Sequence, residues 1–390
     1  YAEGRLWFAG CPDTPSTFWG SKSDAYLDFT PGSLDDDAVI GVINRRGRIL
    51  WMQGSRSLVL GTENAEYTVT SEGGVITPGD KKIRRQSSHG SYNTDAIEVG
   101  TEIIYVSSDG RKLRRMGYEW DSDAWKSKDI TYSCEHITES NRIEEIVFAS
   151  NPDDIIYART TNGTLLCFTY DPDTKVVGAA RRITEGTVFG VTIAPSSGTD
   201  ELWVSVDRGK ALKTTVEREI LAPNIKLDSF ILTEHDPPSN TISLPHLPNK
   251  EVQVVVDGAV HDNIVLDGSG NGTLDFNGST IYAGLPYLSS LQTLPQVDSV
   301  NPDGSTRPMQ KRWITLFLNL LNSYRPRING VRPPDRTLPT LMDTAPPALT
   351  EVLEGNVLGW DKEAILDITQ ELPLPIEIAG LFGTIESDYL

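Results

Sequence analysis

The strongest constraint on this chain is a strand-turn-strand pattern that occurs twice. Glu102-Ile103-Ile104-Tyr105-Val106 runs into Ser108-Asp109-Gly110 and returns from Lys112 to Tyr118. Further on, Asp154-Ile155-Ile156-Tyr157-Ala158 runs into Thr161-Asn162-Gly163 and returns through Leu165-Leu166-Cys167-Phe168. Asp-Gly or Asn-Gly between two apolar runs is a strong hairpin signal, because a type I′ turn needs φ > 0 at both central residues. The two turns lie about 50 residues apart, a spacing that suits repeated blades of a propeller better than one sandwich. The pattern predicts an all-β chain with a β-propeller-like domain of short-strand blades.

Read in order, the first part supplies about five blade-like units, each of two to four short strands. They span Leu6–Phe29, Ala38–Val69, Arg84–Thr131, Ile143–Arg182 and Gly186–Thr214. Arg84–Thr131 reads as one complete blade, opening on Arg84-Arg85-Gln86-Ser87-Ser88-His89-Gly90-Ser91. After about Leu221 the character changes, with Pro237-Pro238-Ser239-Asn240 as a junction. A small antiparallel barrel or sandwich follows, built from Glu251–Val256, Asn263–Leu266, Gly272–Phe276 and Thr280–Gly284. Arg312–Leu318 suits a strand or a short helix, and a Pro-rich stretch runs from Arg332 to Pro347. Pro373 and Pro375 mark Ile376–Gly380 as an edge strand. The predicted division is a propeller-like domain over 1–221, a small β-module over 222–297 and a C-terminal β segment over 298–390. The chain opens without Met, and Arg5-Leu6-Trp7-Phe8 already reads as a strand, as in a piece of a longer chain.

Charge and motifs exclude more than they assign. A net charge of −19 and a pI near 4.7 argue against a nucleic-acid grip, which needs clustered Lys and Arg on phosphates. The basic clusters Arg45-Arg46-Gly47-Arg48, Lys81–Arg85 and Arg111–Arg115 are short and read as solvated strand edges. Cys11, Cys134 and Cys167 are odd in number and far apart, the pattern of idle thiols in a reducing compartment. No apolar signal region is visible at the start, and Ile314–Leu321 is too short to span a bilayer. Three Asn-Gly-Thr/Ser triplets, at Asn162, Asn271 and Asn277, fit the glycosylation pattern but read as turns.

The five histidines, His89, His136, His235, His246 and His261, are scattered, so no zinc site is expected. Asp35-Asp36-Asp37 lacks the Gly and distal Glu of a calcium loop and reads as a solvated turn. Asp121-Ser122-Asp123 reads likewise. Ser107-Ser108-Asp109-Gly110 only faintly suggests the Asp-box of sialidase propellers, having Leu113 where an aromatic closes that motif. No nucleophile elbow, phosphate loop or dinucleotide fingerprint is present. The sequence therefore offers no catalytic, cofactor-binding or metal-binding residues.

Several ordered motifs carry a resemblance. Gly4-Arg5-Leu6-Trp7-Phe8-Ala9-Gly10, Thr17-Phe18-Trp19-Gly20-Ser21, Arg84–Ser91 and Gly110-Arg111-Lys112-Leu113-Arg114 resemble the tail nozzle (tail tubular protein B) family of short-tailed bacteriophages. So do Asp129-Ile130-Thr131, Glu135-His136-Ile137-Thr138, Leu244-Pro245-His246-Leu247, Val256-Asp257-Gly258, Gly284-Leu285-Pro286-Tyr287 and Leu372-Pro373-Leu374-Pro375. The resemblance implies a structural virion protein rather than an enzyme, located in the virion tail and assembled in the host cytoplasm. It implies a homo-hexameric ring that retains the phage DNA and then passes it without sequence-specific binding. Its implied partners are the tail adaptor, the tail fibre or tailspike proteins and the host envelope. The rival readings are a propeller glycan hydrolase and a glycan- or receptor-binding tail protein. They predict carboxylates with aromatics in one pocket, or exposed Trp and Tyr, so the placement of Trp120, Trp125 and Trp203 discriminates.

Overall fold

A computed structural model describes residues 1–390 except 45–46, 56, 175, 210–213, 221–224, 298–305, 335–344, 358 and 389–390. Arg45 and Arg46 of the first basic cluster, the Leu221 boundary and most of the Pro-rich stretch lie outside the described residues. The fold is all-β, with helix confined to two 3-10 turns among the described residues. It divides into two compact units, residues 1–209 with 214–219 and the remainder from 220 onward.

In the first unit five sheets follow one another in chain order. The first holds β1 (Trp7–Cys11), β2 (Thr14–Gly20) and β3 (Val39–Val42). The second holds β4 (Ile49–Gly54), β5 (Leu58–Thr62), β6 (Glu66–Thr70) and β7 (Lys82–Ser87). The third holds β8 (Ile97–Val99), β9 (Glu102–Val106), β10 (Leu113–Glu119) and β11 (Ala124–Asp129). The fourth holds β12 (Ile143–Ala149), β13 (Ile155–Thr160), β14 (Leu165–Asp171) and β15 (Val176–Arg182). The fifth holds β16 (Thr187–Ser196), β17 (Thr199–Asp207) and β18 (Thr215–Arg218). Each is an antiparallel meander, so the expected series of blades is present and propeller-like.

Two expectations need correction. Ala38–Val42 joins the first sheet, because β3 pairs with β2 through Trp19–Ile40 and Thr17–Val42. Arg84–Ser87 likewise closes the second sheet on β6 rather than opening the third. The first and second meanders each end on a strand that sequence spacing assigns to the successor, since spacing says nothing about which neighbour a strand bonds.

The alternation of side chains explains why the sheets stack. A strand's odd and even residues face opposite sides. In β5, Leu58 and Leu60 enter the core against the first sheet, and Val59 enters the core against the third. In β9, Ile103 and Tyr105 face the second sheet while Ile104 and Val106 face the fourth. In β13, Ile156 and Ala158 face the third sheet, and Tyr157 faces the fifth. Near-continuous apolar runs such as Ile103–Val106 are thus strands with a core on each face.

The turns join the sheets at one end. Ser107-Ser108-Asp109-Gly110 is closed by Gly110 N–H on the Ser107 carbonyl at 2.8 Å, and of its residues only Gly110 has positive φ. It is a type I turn ending in a left-handed glycine, not the expected type I′. The expected I′ geometry occurs instead at Asp257-Gly258, where both residues have positive φ. The difference matters, because the wider loop leaves a carbonyl free for the next sheet. Gly110 O accepts from Ile143 N–H at 2.8 Å, Gly163 O from Val188 N–H at 3.0 Å, and Gly90 O from Ser108 N–H at 3.0 Å.

The second unit contains β19 (Asp228–Ser243), β20 (Glu251–Val256), β21 (Ala259–Val265) and β22 (Asn271–Leu285), ordered β19-β22-β20-β21 around a core of Val252, Val254, Ile281 and Leu285. It also contains β23 (Ser289–Gln292), β24 (Gln310–Ser323), β25 (Arg327–Ile328), β26 (Leu349–Gly355), β27 (Asp367–Gln370) and β28 (Ile378–Asp388). These form the sheets β23-β27-β25 and β26-β24-β28, which share a core of Trp313, Leu316, Leu318, Ile328, Leu353 and Ile368. The segment around Ile314–Leu321 is therefore strand, and β28 is an edge strand as the prolines predict.

The joints give a direct test. A Cβ on Gly90 (φ +74) would lie 2.2 Å from the Glu63 carbonyl oxygen, a backbone atom that cannot turn aside. Gly90→Ala is expected to destabilise the first unit by about 3 kcal/mol in chemical denaturation. Gly198 has φ +87 with nothing within 4 Å, so Gly198→Ala is expected to cost only about 1 kcal/mol of left-handed strain. Equal losses would show that the Gly90 joint contributes nothing beyond its turn.

Candidate functional site

Two features of the first unit are built well enough to be functional: an acidic cavity and the outer faces of its terminal sheets. The cavity, of about 600 Å³, is lined by Ser23, Asp24, Asp35, Asp36, Gly73, Val75, Thr77 and Asp80. Its walls are the β2–β3 and β6–β7 connections. Arg5, fully buried, organises the first wall by donating to the carbonyls of Ser21 (2.6 Å), Asp35 (2.6 Å) and Asp37 (2.7 Å). Asp37 turns back to accept from Leu34 N–H at 2.9 Å, and Lys22 lies 3.4 Å from both Asp28 and Asp37. Hydrogen bonds from Thr30 hold the Asp28 carboxyl below its usual range, and the Leu34 N–H does the same for Asp37.

The second wall is tied by Asp80, which accepts from Ser71 Oγ (3.0 Å) and Gly73 N–H (2.9 Å), and by Glu3, which accepts from Ile76 N–H (2.8 Å). Asp35-Asp36-Asp37 is therefore a turn around a buried guanidinium, as the sequence reading has it in part. The buried arginine is the element that reading lacks. Chemically the cavity gathers negative charge, so it concentrates cations and repels phosphate.

Aromatic residues do not join that cavity. Trp120 is 72% exposed on a 3-10 turn, its ring edge-on to Tyr118 at 5.1 Å. Trp125 is buried in the core between the second and third sheets. Trp203 is half-buried, with the Arg218 guanidinium 5.9 Å from its ring. Asp123 accepts from the Tyr118 hydroxyl, so Asp121-Ser122-Asp123 is a structural turn. Among the described residues, Trp120, Trp125 and Trp203 do not line the acidic cavity.

The histidines are dispersed into local roles. Arg114 Nη2 donates to His89 Nε2 at 2.8 Å. Arg181 donates to the His136 carbonyl, while His235 and His246 bond the carbonyls of Thr241 and Ser229. His261 Nδ1 bonds the Asp262 carbonyl at 2.7 Å, and its Nε2 lies 3.2 Å from the Asp275 backbone nitrogen. Among the described residues no three His, Cys, Asp or Glu side chains converge as metal ligands. Cys11, Cys134 and Cys167 are free thiols.

The terminal faces are the second feature. On the first sheet Phe8, Trp19 and Ile40 lie side by side across the three strands, and Val42 continues the row. Phe8 is 54% exposed, Ile40 40% and Val42 51%. On the fifth sheet Val216, exposed at 70%, and the half-buried Trp203 share the face turned away from the fourth with Thr192, Ser205 and Arg218. The sequence shows these residues as apolar, but only the pairing reveals that they face away from the neighbouring sheet.

No family model matches the chain, and no curated protein matches it. Among solved structures it is similar to an exo-β-1,3-galactanase from Phanerochaete chrysosporium in complex with β-1,3-galactotriose. That match is 8% identical with a TM-score of 0.23, covering 72% of this chain and 77% of that chain. The galactanase with galactose gives 9% identity and a TM-score of 0.19, covering 72% and 78%. At these scores the likeness carries neither fold nor activity to this chain.

Arg5 is the residue on which the cavity wall depends. Arg5→Ala leaves several buried carbonyls without a donor and is expected to cost on the order of 3 kcal/mol in thermal denaturation. Arg5→Lys is expected to recover only part of this, because one ammonium cannot fan out to carbonyls on both sides. Full recovery by lysine would mean that charge, not geometry, is what the loop needs.

Proposed function

We propose that the chain is a structural subunit of a phage tail nozzle, assembled as a ring whose channel retains DNA and then passes it. The observation that carries the reading is that the two ends of one series of stacked sheets carry different uncovered faces, one an apolar row and one of mixed polarity. Phe8, Trp19, Ile40 and Val42 form one face, and Trp203 with Val216 the other. Two different faces on one chain favour head-to-tail contact between copies, and such contacts close into rings when the rotation permits. Burying the first face alone would remove several large side chains from water, at roughly 25 cal/mol per Å² of apolar surface.

Charge supports the same reading. A subunit of net charge −19 lets a polyanion slide past rather than stick, because it offers no release of counterions from neutralised phosphates. The acidic cavity adds to that repulsion. The ordered nozzle-like motifs supply the tail adaptor, fibre or tailspike proteins as partners, the host envelope as the final contact and the virion tail as the location. No helix among the described residues is long and apolar enough to cross a membrane.

The test is assembly. The protein, alone or with its tail partners, is expected to form a closed oligomer of about six copies by native mass spectrometry and electron microscopy. Phe8→Glu combined with Ile40→Glu is expected to leave monomers with an unchanged melting temperature. Persistent wild-type monomers in the presence of tail partners would end the ring reading. Release of sugar from host-surface glycans by the purified chain would replace it with the hydrolase reading.

A further inference from the structure

The chain holds four Asn-Gly pairs, which begin at Asn162, Asn271, Asn277 and Asn329. Such a pair carries a chemistry of its own. The glycine nitrogen can attack the asparagine side-chain carbonyl carbon, because glycine has no Cβ to obstruct the approach. Whether a folded chain permits the attack depends on how each asparagine is held.

Three of the four are held. Asn162 Oδ1 accepts from Thr160 Oγ1 at 2.6 Å and from Thr164 N–H at 3.2 Å. Asn271 Oδ1 accepts from Ser243 Oγ at 2.9 Å, and Asn329 Oδ1 from Asp367 N–H at 2.8 Å. Each of these amides must give up a hydrogen bond before it can turn towards its own glycine. Asn277 differs. It is exposed, and among the described residues no group bonds its side chain.

The backbone at Asn277 is irregular as well. It lies inside β22 rather than in the turn that the sequence suggests. β22 pairs with β19 at Thr273–Thr241 and next at Gly278–Ser239, so Leu274–Asn277 stand against Asn240 alone. On the other side β20 pairs with β22 only from Ile281 onward. Asn240 Nδ2 holds the Leu274 carbonyl at 3.2 Å and His261 Nε2 lies 3.2 Å from Asp275 N, which leaves Phe276 and Asn277 outside both ladders. Gly278 itself is demanded by packing, since a Cβ there would lie 2.2 Å from Val256 Cγ1. The fold thus fixes the glycine and leaves the asparagine loose.

We propose that Asn277–Gly278 is a self-modification site, where the chain converts its own asparagine to isoaspartate and aspartate with water as the co-reactant. The Gly278 nitrogen loses its proton to water and bonds to Asn277 Cγ. The Cγ–Nδ2 bond breaks, and the nitrogen takes up a proton and leaves as ammonia. Water then opens the cyclic imide at either of its two carbonyls. Both products replace a neutral amide with a carboxylate, two residues from Asp275. Isoaspartate also routes the main chain through one extra carbon, immediately before the Gly278–Ser239 pair. The β19–β22 ribbon therefore ages at one defined point.

Peptide mass spectrometry of the full chain, kept folded in mildly alkaline heavy-oxygen water, reads the site. Asn277 is expected to convert roughly tenfold faster than Asn162, Asn271 or Asn329, the factor set by one net hydrogen bond. Each event is expected to bring in one heavy oxygen and to yield isoaspartate. In denaturant the four sites are expected to converge, because the three clamps are gone. Equal rates in the folded chain would overturn the proposal, as would a lead for Asn277 that persists in denaturant. A product of aspartate alone would also overturn it, since direct attack of water needs no ring closure. Asn277→Gln is expected to abolish the conversion with an unchanged melting temperature; a lower one would show that the side chain is held after all.

Discussion

A sheet with an apolar layer on each face cannot stand alone, and that constraint shapes the first unit. Val59 and Leu60, or Ile103 and Ile104, are neighbours in sequence yet belong to different cores. Each middle sheet therefore needs a partner before it and a partner after it. The ends of the series are where the demand goes unmet, which is why Phe8, Ile40 and Val216 lie in solvent. An open series leaves this demand at both ends, and assembly with further copies is one way to satisfy it.

Polar groups at the seams add register to this apolar stacking. Glu102 on the third sheet is held by Arg115 and takes the Tyr170 hydroxyl of the fourth. Glu219 takes the Tyr157 hydroxyl at 3.0 Å and Arg182 at 2.6 Å between the fourth and fifth. Burial, reinforced by the neighbouring carboxylate, pushes both tyrosines above their usual range, so they remain donors. At the seam of the second and third sheets Glu66 takes the Tyr105 hydroxyl together with Ser87 and Ser91, and Arg114 lies near it. A tyrosine, a carboxylate and a guanidinium recur at successive seams, and such polar sets specify which faces meet better than shape alone does.

The strand content and the series of meanders were legible because Ile103–Val106 and Ile155–Ala158 sit beside Asp-Gly and Asn-Gly turns. Strand membership was less so. Ala38–Val42 and Arg84–Ser87 read as the start of one unit and bond as the end of another, since hydrogen-bond partnership across a long connection leaves no periodic mark. The site and the buried polar groups were least legible of all. Glu66 sits in Ala65-Glu66-Tyr67 like any solvent-facing strand glutamate, and only the chain folding back with Ser87 and Ser91 buries it. Arg5 likewise reads as an ordinary strand-opening charge until the Asp35–Asp37 loop wraps it.

The glycine joints have a consequence for how the chain comes into being. Gly90, Gly110 and Gly163 each offer a carbonyl to the sheet that comes next in the chain, at Ser108, Ile143 and Val188. A chain emerging from the ribosome thus meets every docking partner it needs for the next sheet in the sheet just finished. Contacts of such short sequence separation keep the loop-closure penalty of each step low. The first unit can zip up one sheet at a time, the free face of the newest sheet serving as template for the next.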